Sequence, residues 1–172
     1  MPYPGGNVVR VTPTVVAGET ADNDVMFDAM EIPGAVSNRG GVSRLTGITI
    51  IDNAAESVDM DVIFMAVKTN FGTADAASSI TDANLQASKV LGALAIDWSD
   101  GATVFAQNSG SASITTFAGA IGSNAQHGFP MMLKAEAGSR SVYFTAIVRD
   151  ANNADYGATD DLEFVFHIEY LD

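Results

Sequence analysis

Among the side chains that perform acid–base or nucleophilic chemistry, the 172-residue chain offers many carboxylates, two histidines and no cysteine. The carboxylates recur in close pairs: Asp22/Asp24, Asp59/Asp61 and Asp160/Asp161. Residues two apart in a strand share a face, so Asp59 and Asp61 sit where two acids can cooperate in proton transfer. The same spacing holds two like charges about 7 Å apart, which suits a solvated strand face, and that reading is favoured. His167 falls in the polar register of the last strand, as a sheet-surface residue. His127 lies in the loop Asn124 to Gly128, with no carboxylate that the sequence places beside it. There is no Gly-x-Ser-x-Gly elbow and no thiol. No nucleophile–base constellation is complete, so no catalytic residue is assigned and the chain is expected not to be an enzyme.

Cofactor chemistry is equally sparse. Asp150, Asn152, Asn153 and Asp155 make a loop of hard oxygen ligands, followed by Asp160 and Asp161, and calcium is the ion they suit best. The spacing departs from an EF-hand, with Ala154 at the fifth position and Asp155 where the turn glycine belongs. Gly5-Gly6 and Gly40-Gly41 lack the flanks of a phosphate loop and read as turns. The expectation is no metal and no cofactor.

Charge excludes further classes. Eight basic residues face 21 acidic ones, for a net charge of −13. The two halves carry −7 and −6, which describes one evenly acidic body. Binding nucleic acid requires Lys and Arg to neutralise phosphates, and eight scattered cations make no stripe. Neither nucleic acid nor an anionic membrane surface is an expected partner. No apolar run approaches the ~18 residues of a membrane span. The opening Met1 to Gly6 has neither the basic nor the apolar region of a signal peptide, so synthesis in the cytoplasm as a soluble protein is expected.

The residues that position these groups are mostly in strands. Val25 to Ile32 ends at a Pro33-Gly34 turn, Val42 to Asp52 follows the corner Arg39-Gly40-Gly41, and Val58 to Val67 follows the polar loop Asn53 to Ser57. Three strands joined by short polar turns begin an antiparallel sheet. Val8 to Val16 is β-branched almost throughout, and Pro13 makes it an edge strand or one with a bulge. Phe27 and Ala29 are expected on one face of their strand, with Met26, Met30 and Ile32 on the other. From Ile63 onward apolar residues occupy both faces, which calls for a covering segment or a neighbouring subunit. Ser78 to Ala87 can form a short helix capped by Thr81 or Asp82. Strands are also expected at Ala93–Trp98, Thr103–Ala106, Ser113–Phe117 and Phe129–Ala135. Arg140 to Arg149 puts Val142, Phe144, Ala146 and Val148 on one face. In the last strand Leu162, Phe164, Phe166, Ile168 and Tyr170 alternate with Glu163, Val165, His167 and Glu169. Eight to ten strands with one short helix indicate an all-β fold, an antiparallel β-sandwich of jelly-roll type. Residues 1–16 form an arm and edge strand, and 17–172 a single sandwich domain with a loop-rich excursion at 99–128.

The segments FDAMEIPGAV (Phe27–Val36), GGVSRLTGITIIDNAAE (Gly40–Glu56) and DVIFM (Asp61–Met65) resemble a family of small virion structural proteins of tailed bacteriophages. So do ITDANLQASKVLGALAID (Ile80–Asp97) and SRSVYFTAIVRDANNADYGATDDLEFVF (Ser139–Phe166), so that the pattern runs in order over 78 of the 172 residues. The segment Ser99–Gly128 has no counterpart. The resemblance implies a non-enzymatic capsid decoration or cement protein, made in the host cytoplasm and carried on the capsid surface of the virion. Its implied partners are the major capsid protein and further copies of itself, as a trimer. The surfaces expected to make such contacts are Tyr3, Val8, Val9 and Val11 of the N-terminal arm and Ile63, Met65 and Val67 of the two-faced strand, with Arg39 and Arg44 at the glycine corner. The alternative is a receptor- or glycan-binding fibre module, with Trp98, Tyr143, Tyr156 and Tyr170 as stacking faces.

Overall fold

A computed structural model describes residues 5–98, 102–106, 112–118, 129–150 and 155–171. Within them the chain forms β1 (Gly6–Val11), β2 (Gly18–Glu19), β3 (Val25–Ile32), β4 (Val42–Asp52) and β5 (Asp59–Met65), then a short helix α1 (Asp82–Ser88). There follow β6 (Val90–Ile96), β7 (Ala102–Ala106), β8 (Ser113–Ala118), β9 (Met131–Lys134), β10 (Val142–Asp150), β11 (Asp155–Tyr156) and β12 (Leu162–Tyr170). The apolar/polar alternation and the short polar turns produce antiparallel ladders throughout.

One sheet runs β1-β12-β4-β8-β7, with β9 pairing the first part of β4, and the other runs β3-β10-β5-β6. The chain crosses between them at most steps: β1 lies in the first sheet, β3 in the second, β4 back in the first, and β5 in the second. Apart from β7, β9 and a separate two-stranded pair of β2 with β11, the described strands form two four-stranded sheets of order 1-12-4-8 and 3-10-5-6. This is the interleaved double-sheet wiring of a jelly roll.

The inward faces meet in an aromatic core. Phe27, Phe64, Phe144, Phe164 and Phe166 are fully buried. Phe144 lies 5.4 Å from Phe27, 5.2 Å from Phe164 and 4.8 Å from Phe166, ring centre to ring centre, all edge-to-face. Burying each such ring contributes about 1.5–3 kcal/mol, with roughly 0.5–1.5 more for each well-oriented aromatic pair. The alternation in β10 and β12 therefore reads out as expected. Val142, Phe144, Ala146 and Val148 join Leu162, Phe164, Phe166 and Ile168 in that core.

In β3 the alternation breaks. Phe27 faces the core with Met26 and Ile32, not the outer face with Ala29. The cause is a bulge: Phe144 pairs with Met30 and Ala146 with Phe27, so two steps on β10 oppose three on β3. The buried hydroxyl of Thr145 donates to the Phe27 carbonyl at 2.8 Å and fills the break.

The two-faced pattern from Ile63 onward also finds its explanation. Val25, Ala29 and Met65 point away from the main core and are covered by Phe71, with Ile63, Ile80, Tyr143 and Ile147 packed around them. The cover is the chain's own connection between β5 and α1. It is pinned where Asn70 Oδ1 accepts from the Ala29 amide at 3.0 Å and where Asp24 and Val25 bridge to Ala77 and Ala74. The helix starts as expected, with the Thr81 hydroxyl accepting from the Asn84 amide at 3.3 Å, and ends at Lys89 in the left-handed conformation, φ 53°.

At the N-terminus β1 stops at Val11, two residues before Pro13, which lies outside the ladder. The expected continuation to Val16 is instead irregular chain, held by the Val15 amide donating to the Thr159 carbonyl at 3.0 Å. Of the excursion 99–128, β7 and β8 form a hairpin-like pair on the edge of the first sheet. No helix among the described residues is long and apolar enough to cross a membrane.

Candidate functional site

The two ends of the sandwich differ in charge. At one end β5 and β9 finish while β4, β6 and β10 begin, and the connections there carry Arg39, Lys68, Lys89, Lys134 and Arg140. At the opposite end lie Glu19, Asp22, Glu56, Asp155, Asp160 and Asp161, and the described connections there carry no Lys or Arg; Arg10 and Arg149 sit one residue inside the strands that finish there, facing Glu163 and Asp61. The even split of charge between the two halves of the sequence concealed this polarity, because the antiparallel fold interleaves the halves.

All three lysines of the chain border two adjoining open depressions at the basic end. Lys89 and Lys134 line one, Lys68 lines the other, and Ala66 and Glu136 belong to both. Lys89 Nζ sits 2.7 Å from Glu136 Oε2, a pair that keeps both side chains substantially exposed. Lys68 and Lys134 have no ion pair among the described residues. The lysines lie at positions 68, 89 and 134, too far apart in sequence for a charge run to reveal them.

The residues expected to meet a partner are distributed unevenly. Val8 is 58% exposed on the free edge of β1. Val9 and Val11, on the same strand, face inward and are packed in this chain's own core, which corrects their assignment to a contact surface. Met65 is corrected likewise: it is fully buried beneath Phe71. Ile63 is half-buried under the same cover, and Val67 borders the lysine depressions. Arg44 reaches Glu169 within its own chain, Nη1 to Oε2 at 3.7 Å, while Arg39 is exposed. Tyr3 lies outside the described residues.

The candidate chemical groups are engaged structurally. Asp59 and Asp61 do share the outer face of β5, but Asp59 Oδ1 accepts from the Trp98 amide at 3.0 Å and Asp61 faces Arg149 at 3.8 Å. His167 Nε2 lies 3.1 Å from the Thr49 hydroxyl, which in turn meets the Thr116 hydroxyl at 2.9 Å, as a polar ladder across three strands. His127 lies outside the described residues, as do Asn152 and Asn153. Among the described residues no three carboxylates or histidines converge as a metal would require.

Sequence reasoning missed the buried carboxylate. Asp52, the last residue of β4, is fully buried. Its Oδ1 accepts from the amides of Ala54 at 3.0 Å and Ala55 at 2.9 Å, and its Oδ2 from Ser57 at 2.8 Å. Burial pushes its pKa above the usual carboxylate value, and Glu56 adds to this, while the three amides pull the other way. The Tyr156 ring is also fully buried, and its hydroxyl has no hydrogen-bond partner among the described residues. Burial, then the charges of Asp52, Glu56 and Asp161, push that phenol far up. The polar residue that ends β4 just before the Asn53–Ser57 loop was the available signal, since Asp commonly caps turns through its own carboxylate.

The aromatic residues offered as sugar platforms are not exposed. Trp98 is buried, with its indole N–H donating to the Val58 carbonyl at 2.6 Å, and Tyr170 donates its hydroxyl to the Gly34 carbonyl at 2.8 Å. Tyr143 is half-buried against the outer cluster.

No family model matches the chain, and no curated protein matches it. Among solved structures, the crystal structure of the infectious bursal disease virus VP2 subviral particle superposes on 98% of this chain at 9% identity, with a TM-score of 0.27. This chain spans 40% of that chain's length. A superposition this loose carries no statement about what the chain does.

Proposed function

We propose that the chain is a non-enzymatic virion structural subunit, a decoration protein that seats on the outside of a phage head and stabilises the shell through contacts between copies. The observation that carries the reading is the jelly-roll wiring, a fold used by viral capsid and by lectin domains. Fold alone does not select between those uses. Three features favour the structural role. The sequence pattern resembles phage virion proteins in five segments, taken in order, that make up just under half the chain. Of the four aromatic rings that would favour a lectin, Trp98 and Tyr156 are buried in the fold and Tyr143 and Tyr170 are partly covered. Asp59, Asp61 and His167 are engaged within the chain, with the Trp98 amide, Arg149 and the Thr49 hydroxyl.

The major capsid protein is the partner under this reading, and a trimer the expected assembly. The mass of the purified protein by light scattering is expected near three times 17.9 kDa. A protein that is monomeric at every concentration and also fails to associate with capsids would overturn the proposal.

A further inference from the structure

The lysine-bordered depressions lie between two strand edges that have no partner among the described residues. β6 pairs only with β5, and β9 only with β4. The two edges approach closely at Gly92, where an added Cβ would lie 2.9 Å from the Met131 side chain. They bracket the space at Lys89 and Lys134, with Val90 half-exposed on the β6 edge.

We infer that this groove is a docking site for an extended, carboxylate-bearing segment of another protein, which adds to an open strand edge while its acidic side chains meet Lys68, Lys89 and Lys134. Main-chain hydrogen bonds from an unpaired edge give such a mode its affinity, and side-chain complementarity gives its specificity. The charge argument is one of concentration. In a molecule of net charge −13, all three lysines border these two adjoining depressions, and Lys68 and Lys134 have no ion pair among the described residues.

A polyphosphate or nucleic acid suits the groove less well, because Lys89 is already paired with Glu136 and only three lysines stand on a body of net charge −13. The inference stands on the groove and does not need the shell-binding reading.

The test is fluorescence anisotropy with the full chain and a labelled peptide of alternating Glu and Val. Binding is expected, and it should weaken at least about tenfold on raising salt from about 50 to about 300 mM. The triple variant Lys68→Glu, Lys89→Glu, Lys134→Glu should lose it while keeping a cooperative thermal transition, because all three side chains are exposed and only the surface pair of Lys89 with Glu136 is disrupted. The milder Lys68→Gln, Lys134→Gln pair should weaken it, and Arg149→Gln, on the outer face of the second sheet, should leave it unchanged. No binding of the Glu/Val peptide overturns the inference, as does equal binding of a Lys/Val peptide. Tighter binding of inorganic polyphosphate or a single-stranded oligonucleotide overturns it in favour of a phosphate site. Self-association of the wild type that the triple variant abolishes overturns it in favour of a contact between copies.

Discussion

Asp52→Asn tests whether burial or hydrogen bonding governs the buried carboxylate of Asp52. The carboxylate gives Oδ1 to two amides and Oδ2 to a third, all at 2.8–3.0 Å. An Asn oxygen in the Oδ1 position keeps Ala54 and Ala55 but turns an N–H toward the Ser57 amide. One charge-assisted bond is lost, worth about 1.5–3 kcal/mol. For a chain of this size that is a fall in Tm on the order of 5–10 °C at pH 7. The pH dependence carries the sharper test. Because burial raises the folded-state pKa above the unfolded value, the folded protein binds more protons in the window between them. The contribution of Asp52 is therefore fully present below the unfolded pKa and is lost as pH rises through the folded one. Asn does not titrate, so the gap between wild type and variant must widen as pH is lowered from 7 toward the carboxylate range. Thermal melts of both proteins across that range measure it, and the difference between them cancels the other carboxylates. A gap that narrows on acidification would mean that the three amides outweigh burial, and would refute the reasoning.

Two further outcomes follow from the core. Phe144→Ala removes the ring that touches Phe27, Phe164 and Phe166, and should cost about 3–5 kcal/mol in urea unfolding, near the top of the range for core truncations. Thr145→Val keeps the shape but leaves the Phe27 carbonyl at the β3 bulge without its hydroxyl donor; a loss of about 1–3 kcal/mol is expected, and a neutral result would mean the bulge is held by packing alone.

Much of the fold was legible because strands announce themselves locally. Val25–Ile32, Val42–Asp52 and Leu162–Tyr170 have the bounds their alternation and turn residues indicate. What stayed hidden was non-local. The bulge that turns Phe27 inward depends on the register with β10, which a period-two pattern cannot encode. The apolar outer face around Met65 pointed equally to a covering segment or a neighbouring chain. Only the return of Phe71 and Ile80 over the sheet decides it. Val9 and Val11 read as an arm for the same reason, because a half-buried edge strand and an exchanged strand have the same alternation. The lysine groove was invisible for a topological reason. Its residues come from the starts and ends of strands far apart in sequence, and antiparallel winding gathers them at one end.

Shell binding is tested most directly by titrating the purified protein onto empty heads built from the major capsid protein, and counting the copies retained after sedimentation. The account predicts saturable binding, with a copy number that is a multiple of three and heads that withstand heat better when decorated. Protein that remains in the supernatant at every ratio, or that binds without saturation, would contradict it.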